Sequence, residues 1–307
     1  SNYPYVQIIP DGVVWKLNFA ALAKEHDGEV IYFGGNKHLV FNYYAEVSKQ
    51  ARPESSQVLA FSFNEEESAT ATRNYSLLRD LGENIPGTSK EISSISTLFD
   101  GEYYFGSQAT ESRFKQKAKH FNVLHLAIHG FQNETYPENS YLQFSDKDDE
   151  NDGRLHAFEL YNEKIHAQLA IITACNSGRG KIVTGEGMVS LAHSFAYAGT
   201  ESMLVSRWEV PDISTPYLIR YFYMGLAQGM RKSEALRFAQ SEYLKNDADN
   251  ITSAPFYWAG LYVLGNDRPI EFASRSPMET IVGVGFGLVV LSLLGFFSYR
   301  RKMGHNR

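Results

Sequence analysis

The sequence predicts an α/β fold with a mostly parallel central sheet, and two observations predict it. Apolar, β-branched or aromatic runs recur at 5–9, 30–33, 58–63, 122–128, 168–174, 201–206 and 257–264. Most are continuous rather than alternating, as strands buried on both faces are. Stretches with helical patterning separate the later runs, at 88–99, 110–119, 185–198, 211–227 and 231–244. Strand and helix taking turns implies parallel strands with helices over them, a three-layer arrangement.

Taken in order, the chain enters its first run almost at once with "YVQIIPDG", after an initial Ser. We therefore expect it to be cut from a longer protein, with any leader or upstream domain outside the sequence. In the helix read at 185–198, Met188, Leu191, Phe195 and Ala198 recur at three- and four-residue intervals and form an apolar stripe. The acidic stretch "SDKDDENDGR" (145–154) reads as a solvated loop. One domain is expected over 1–265, a linker over 266–279, a membrane helix over 280–299 and a basic tail over 300–307, with no internal repeat.

The membrane helix rests on length. Residues 281–299, "IVGVGFGLVVLSLLGFFSY", carry no charge and span roughly 28 Å as a helix, close to the hydrocarbon core of a bilayer. Gly283, Gly285 and Gly287 suit a membrane helix better than a soluble one. Gly283 and Gly287 also form a G-x-x-x-G pair, a packing seam for a second copy. Arg300, Arg301, Lys302 and Arg307 follow the span, whereas Arg275 is balanced by Glu271 and Glu279 before it. Positive-inside counting puts the tail in the cytoplasm and the large domain outside it; a tail-anchored insertion would reverse that.

Composition narrows the function. The net charge is −6, and no Lys/Arg cluster interleaves with aromatics in the soluble part, which argues against nucleic acid as a partner. A single cysteine excludes an intramolecular disulfide and a thiolate zinc site, and the nine His show no paired spacing. No metal or cofactor is expected. With 19 Tyr and 20 Phe among 307 residues, the strands are expected to be rich in aromatics.

In open α/β sheets, ligands bind beyond the carboxyl ends of the strands. Two runs end there on reactive residues: "VLHLAIHG" on His129 and Gly130, and "LAIITAC" on Cys175. If the two strands are parallel neighbours, thiol and imidazole emerge on one edge, and the imidazole can take the thiol proton. The backbone N–H groups of Gly130 and Cys175 would then face a carbonyl under attack. Cys175 also reads as a small buried hydrophobe, since free Cys is among the most buried residue types. His125 lies about 13 Å further back along the same strand and reads as structural.

Other chemistries fail on spacing. Cys175 stands where a Walker A loop needs its first Gly, and Ile182 replaces its Ser/Thr. Val183 occupies the third Gly of a dinucleotide fingerprint, and "GMVSLA" is not a G-x-S-x-G elbow. "SMLVSRWEVPD" (202–212) reads either as a core strand with Trp208 at its rim or as a substrate edge. On the second reading an extended peptide adds by β-pairing and Trp208 walls a pocket.

Several stretches resemble the CHAT domain, a caspase-like group of cysteine peptidases related to caspases and separases and often joined to tetratricopeptide repeats. They are "IIPDGVVWKLNFAAL" (8–22), "PGTSKEISSIS" (86–96), "ATESRFKQ" (109–116), "VLHLAIHGF" (123–131), "DGRLHAFEL" (152–160), the long stretch 170–212 and "PFYWAGLYVLG" (255–265). The separation of His129 from Cys175 is also close to the roughly 50 residues of caspase-type enzymes.

The resemblance implies a caspase-like three-layer fold with a His129–Cys175 dyad and Gly130 in the oxyanion hole. It sets Glu186 and Gly187 in a "GEG" turn and Trp208 on the substrate side, with Glu209 and Asp212 near a primary pocket that favours a basic residue. His193 stands where many relatives have Arg. The implied function is a cysteine endopeptidase acting on a protein substrate, gated by an upstream sensor or repeat region. The competing reading is a non-catalytic signalling module anchored in the membrane.

Overall fold

A computed structural model describes residues 5–27, 29–42, 55–64, 86–133, 135–145, 151–173, 181–183, 187–189, 191–208, 211–270 and 272. Contacts divide the chain into a unit Ser1–Glu271 and a second, Phe272–Arg307. The predicted membrane span lies outside the described residues, among which no helix is long and apolar enough to cross a bilayer.

The strands of the first unit begin with β1 (Tyr5–Ile8), β2 (Ala23–His26), β3 (Glu29–Tyr32), β4 (His38–Phe41) and β5 (Ser55–Ser62). Next come β6 (Gly101–Phe105), β7 (Phe121–Ala127), β8 (His129–Phe131), β9 (Tyr141–Gln143) and β10 (Arg154–His156). The last are β11 (Leu169–Ile172), β12 (Lys181–Val183), β13 (Gly187–Val189), β14 (Ser202–Ser206) and β15 (Leu261–Gly265). The helices are α1 (Phe33–Asn36), α2 (Pro86–Ser96), α3 (Glu111–Lys117), α4 (Ala157–Leu160), α5 (Leu191–Tyr197), α6 (Thr215–Ala227), α7 (Lys232–Asn246) and α8 (Pro255–Trp258).

Eight strands form the central sheet in the order β1-β4-β15-β14-β11-β7-β5-β6. Neighbours are parallel throughout, except that β15 runs antiparallel to β14. The sheet thus holds five strands of one direction and three of the other. Every residue of β7, β11 and β14 is buried, which is why their sequences are mostly apolar rather than alternating, with His125 a polar break inside β7.

One face of the sheet packs on α2, α6 and α7. In α6 the buried residues Leu218, Ile219, Phe222, Tyr223 and Leu226 recur at helical spacing. The other face holds the main core, where Leu124, Leu126, Ile128, Ala170 and Ile172 meet Phe114 of α3 and Phe195 of α5. The start of α3 follows from Thr110, whose side chain accepts from the Arg113 N–H, and its end carries Lys115 and Lys117, which suit the helix dipole.

Two predicted elements shift. The helix read from 185 begins at Leu191, because Gly187–Val189 pairs with β12 as a hairpin. Glycines at 185 and 187 are poor helix residues, so the apolar spacing that reached back to Met188 ran past the true start. Leu191, Phe195 and Ala198 are buried as that stripe requires. The run at 257–264 likewise splits into α8, with Pro255 in its first turn, and β15 from Leu261.

Candidate functional site

The parallel pairing of β7 with β11 brings the two reactive runs side by side. The run that ends on His129 is not one strand, however. β7 stops at Ala127, the chain bends at Ile128, and His129 opens β8 in a separate three-stranded antiparallel sheet, β10-β9-β8. There His129 pairs with Gln143 and Gly130 with Leu142. Continuous apolar sequence hid this change of sheet, because Ile128 is as buried as the strand before it.

Phe63 fixes the His129 ring from the side. The Phe63 N–H donates to the Ala127 carbonyl at 3.1 Å, and its ring meets the imidazole edge-on with centroids 4.5 Å apart. Beyond His129 runs a row of aromatics that sequence reasoning missed. Phe131 stacks on Tyr141 at 4.8 Å, Tyr141 meets His156 at 5.2 Å, and His156 stacks on Phe158 at 5.1 Å. Phe131 and Phe158 are half exposed. The residues are scattered over three short strands and a helix, so no local spacing announces the row.

His125 sits on the opposite face, sealed between β7 and the helices. Its Nε2 is 2.6 Å from Oε1 of Glu91 on α2, and its Nδ1 is 3.2 Å from the Tyr223 hydroxyl on α6. Burial holds the Tyr223 phenol well above its ordinary pKa, so it keeps its proton in this contact. This buried chain of hydrogen bonds agrees with the structural role read for His125.

Cys175, Glu186 and Glu209 lie outside the described residues; of Gly187 the backbone is described, in β13. Thr173, two positions before Cys175, follows β11. Trp208 follows β14, half exposed, with its Nε1 donating to the Phe256 carbonyl at 2.9 Å and its ring stacked on Phe256 at 6.3 Å. Asp212 packs against the first turn of α2, so close that a Cβ on Gly87 would lie 3.1 Å from the Asp212 carbonyl oxygen. Trp208 and Asp212 thus face different neighbours.

One of the two readings of 202–212 is narrowed here. The strand at 202–206 offers no edge for an incoming peptide, because β14 is paired on one side with β11 and on the other with β15. A strand with both rows of backbone groups occupied cannot take a third. Among the described residues no group of three or more His, Cys, Asp or Glu is placed to hold a metal ion.

The model of the CHAT domain matches residues 1–266. The chain belongs to the CHAT-domain family. Similar proteins include tetratricopeptide repeat protein 28 of Mus musculus, 24% identical over 222 residues, and that of Homo sapiens, 25% identical over 226 residues. Each match takes in 62% of the chain but only 9% of the relative, so the CHAT-domain chain spans about a tenth of the length of these proteins. Among solved structures, the Saccharomyces cerevisiae separase–securin complex is similar over 75% of the chain and 14% of separase, at 11% identity and a TM-score of 0.47. The Arg-specific cysteine proteinase gingipain R is similar over 71% of the chain and 50% of its own, at 9% identity and a TM-score of 0.44.

Proposed function

We propose that the CHAT domain of this chain is a cysteine endopeptidase with Cys175 as nucleophile and His129 as base. One observation carries the reading. β11 pairs with β7 at a constant offset of 46 positions, Leu169 against Val123 through Ile172 against Leu126, and 46 positions also separate Cys175 from His129. Two peptide units reach at most about 7 Å beyond Thr173, and neighbouring strands lie about 4.8 Å apart. These lengths support a hydrogen-bonded dyad across the two strand ends.

In the proposed reaction His129 takes the Cys175 proton, and the thiolate attacks the peptide carbonyl. The departing amine receives that proton, leaving a thioester that water hydrolyses. Gly130 and Cys175 supply the N–H donors for the oxyanion. Trp208 walls the substrate pocket, and Glu209 and Asp212 favour a basic residue before the cut bond. Upstream repeats or a sensor gate the enzyme, a proposal in keeping with the repeat named in its relatives. Residues 280–299 anchor it by their length and lack of charge, with the domain outside the cytoplasm by positive-inside counting.

The test is cleavage of a peptide library, read by mass spectrometry, with Cys175→Ala and His129→Ala alongside. Cleavage should disappear in both variants, and iodoacetamide should label Cys175 more slowly once His129 is gone. Undiminished cleavage by Cys175→Ala would remove the assignment. An inert Cys175 in a chain bound to its activator would leave the non-catalytic signalling module.

A further inference from the structure

A cluster of cations stands at a different part of the sheet. β4 and β15 pair only at Val40–Val263 and Phe41–Leu264, so towards the carboxyl end of β14 the two strands part. A small open cleft lies there, bordered by Leu39, Leu261, Tyr262, Lys37, Arg207 and Arg237. Among the described residues no carboxylate lines it.

Arg207 is the inner cation, only 9% exposed. Its Nη1 donates to the Trp15 carbonyl at 2.7 Å, and its guanidinium lies over the rings of Phe41 and Tyr262 at 4.5 and 4.2 Å. Among the described residues its buried Nη2 finds no hydrogen-bond partner, and neither does the buried Nε of Arg237 on α7. A carbonyl and two ring faces ease the burial of a guanidinium without supplying countercharge. Buried charges are otherwise found paired.

We propose that this cleft is an anion site that takes a carboxylate, with Arg207 as the inner donor and Arg237 as the outer one. The planar, singly charged group suits a guanidinium fork flanked by ring faces. The site shares a sheet edge with His129 but lies three to four strand spacings away, about 14–19 Å. It does not rest on the peptidase reading.

Binding is measured on the chain by calorimetry and thermal shift at constant ionic strength. The probes are acetate, propionate and a capped peptide with one Glu, each against its amide counterpart. Saturable binding by a carboxylate and not by its amide, weakened about tenfold or more in Arg237→Gln, supports the site. Binding of acetate identifies a free small acid as sufficient, whereas binding of the Glu peptide alone assigns the carboxylate to a polypeptide. Arg207→Lys keeps the charge while removing the fork, and should also weaken binding in a chain that still folds. Equal effects of carboxylate and amide, or affinity unchanged in both variants, would overturn the proposal.

Discussion

Nε2 of His125 and Oε1 of Glu91 meet at 2.6 Å in the dry layer between β7 and α2, where the two side chains are 0% and 2% exposed. With Tyr223 closing the other side of the ring, three elements far apart in sequence are tied by polar contacts that water cannot replace. Removing one partner strands the other. Glu91→Ala should cost about 1–3 kcal/mol in urea unfolding, and Tyr223→Phe about 1 kcal/mol. The pair should also be non-additive with His125→Phe, which removes the shared acceptor and donor. A Glu91→Ala midpoint equal to that of the parent chain would show the bond to be energetically idle.

Lys115 holds a second buried carboxylate, this time with a pH signature. Its Nζ is 2.6 Å from Glu111 and 2.8 Å from Glu159, joining α3 to α4. Burial raises the Glu111 carboxyl above 4.5 in spite of that cation. Because the folded value is raised, its contribution to stability is fully present below about 4.5 and is lost as pH rises through the folded value. Lys115→Met removes the opposing cation and raises Glu111 further. The variant should lose about 2 kcal/mol at pH 7, less than the loss expected for a fully buried pair, since the Lys115 side chain is 23% exposed. The deficit should shrink towards pH 4. Unfolding midpoints taken across that range test the sign, and a deficit that grows on acidification would contradict it.

The α/β class was legible because β7, β11 and β14 are buried on both faces and so are mostly apolar without alternation. Their parallel order followed from the helices between them. What the sequence concealed depended on distant partners. β6, "GEYYF", is half-buried throughout and carries no run to mark it, and β4 is only four residues long. The antiparallel setting of β15 against β14 depends on a pairing that no local pattern encodes. For the candidate site, the placing of His129 just beyond the carboxyl end of a buried strand was readable, but its transfer to a second sheet was not, since Ile128 is as buried as Ala127. Arg207 escaped notice because a lone Arg after a strand looks like any surface cation; only the rings of Phe41 and Tyr262 beside it reveal the burial.

Gly101 tests how closely β6 is laid against β5. A Cβ at that position would fall 2.1 Å from the Val58 carbonyl oxygen, a clash with backbone that no rotamer relieves. Gly101→Ala should therefore destabilise by about 2 kcal/mol or more, as forced overpacking does. Gly35 is the control, because a Cβ there meets nothing within 4 Å and its φ is not positive. Gly35→Ala should be neutral or stabilise by about 0.4–1 kcal/mol through the unfolded chain. Equal losses in the two variants, read as thermal midpoints, would mean that β6 moves freely against its neighbour.

Variants of Trp208 would separate the proposed pocket contact from the proposed chemistry of the dyad. Its indole is stacked on Phe256, which is 54% exposed, and its N–H is spent on the Phe256 carbonyl, so the ring is fixed and not free to swing. A rigid aromatic wall contributes contact area without acting on the thiol. Trp208→Ala should lower kcat/KM for a peptide substrate by about tenfold, the loss of roughly 1.4 kcal/mol of pocket contact. The rate at which iodoacetamide labels Cys175 should stay at the parent value, because that rate reports the thiolate and its base alone. Trp208→Phe keeps the stacking and gives up only the hydrogen bond, so it should recover most of the lost activity. If Trp208→Ala slows alkylation as much as it slows cleavage, the residue supports the dyad itself and the assignment as a pocket wall fails.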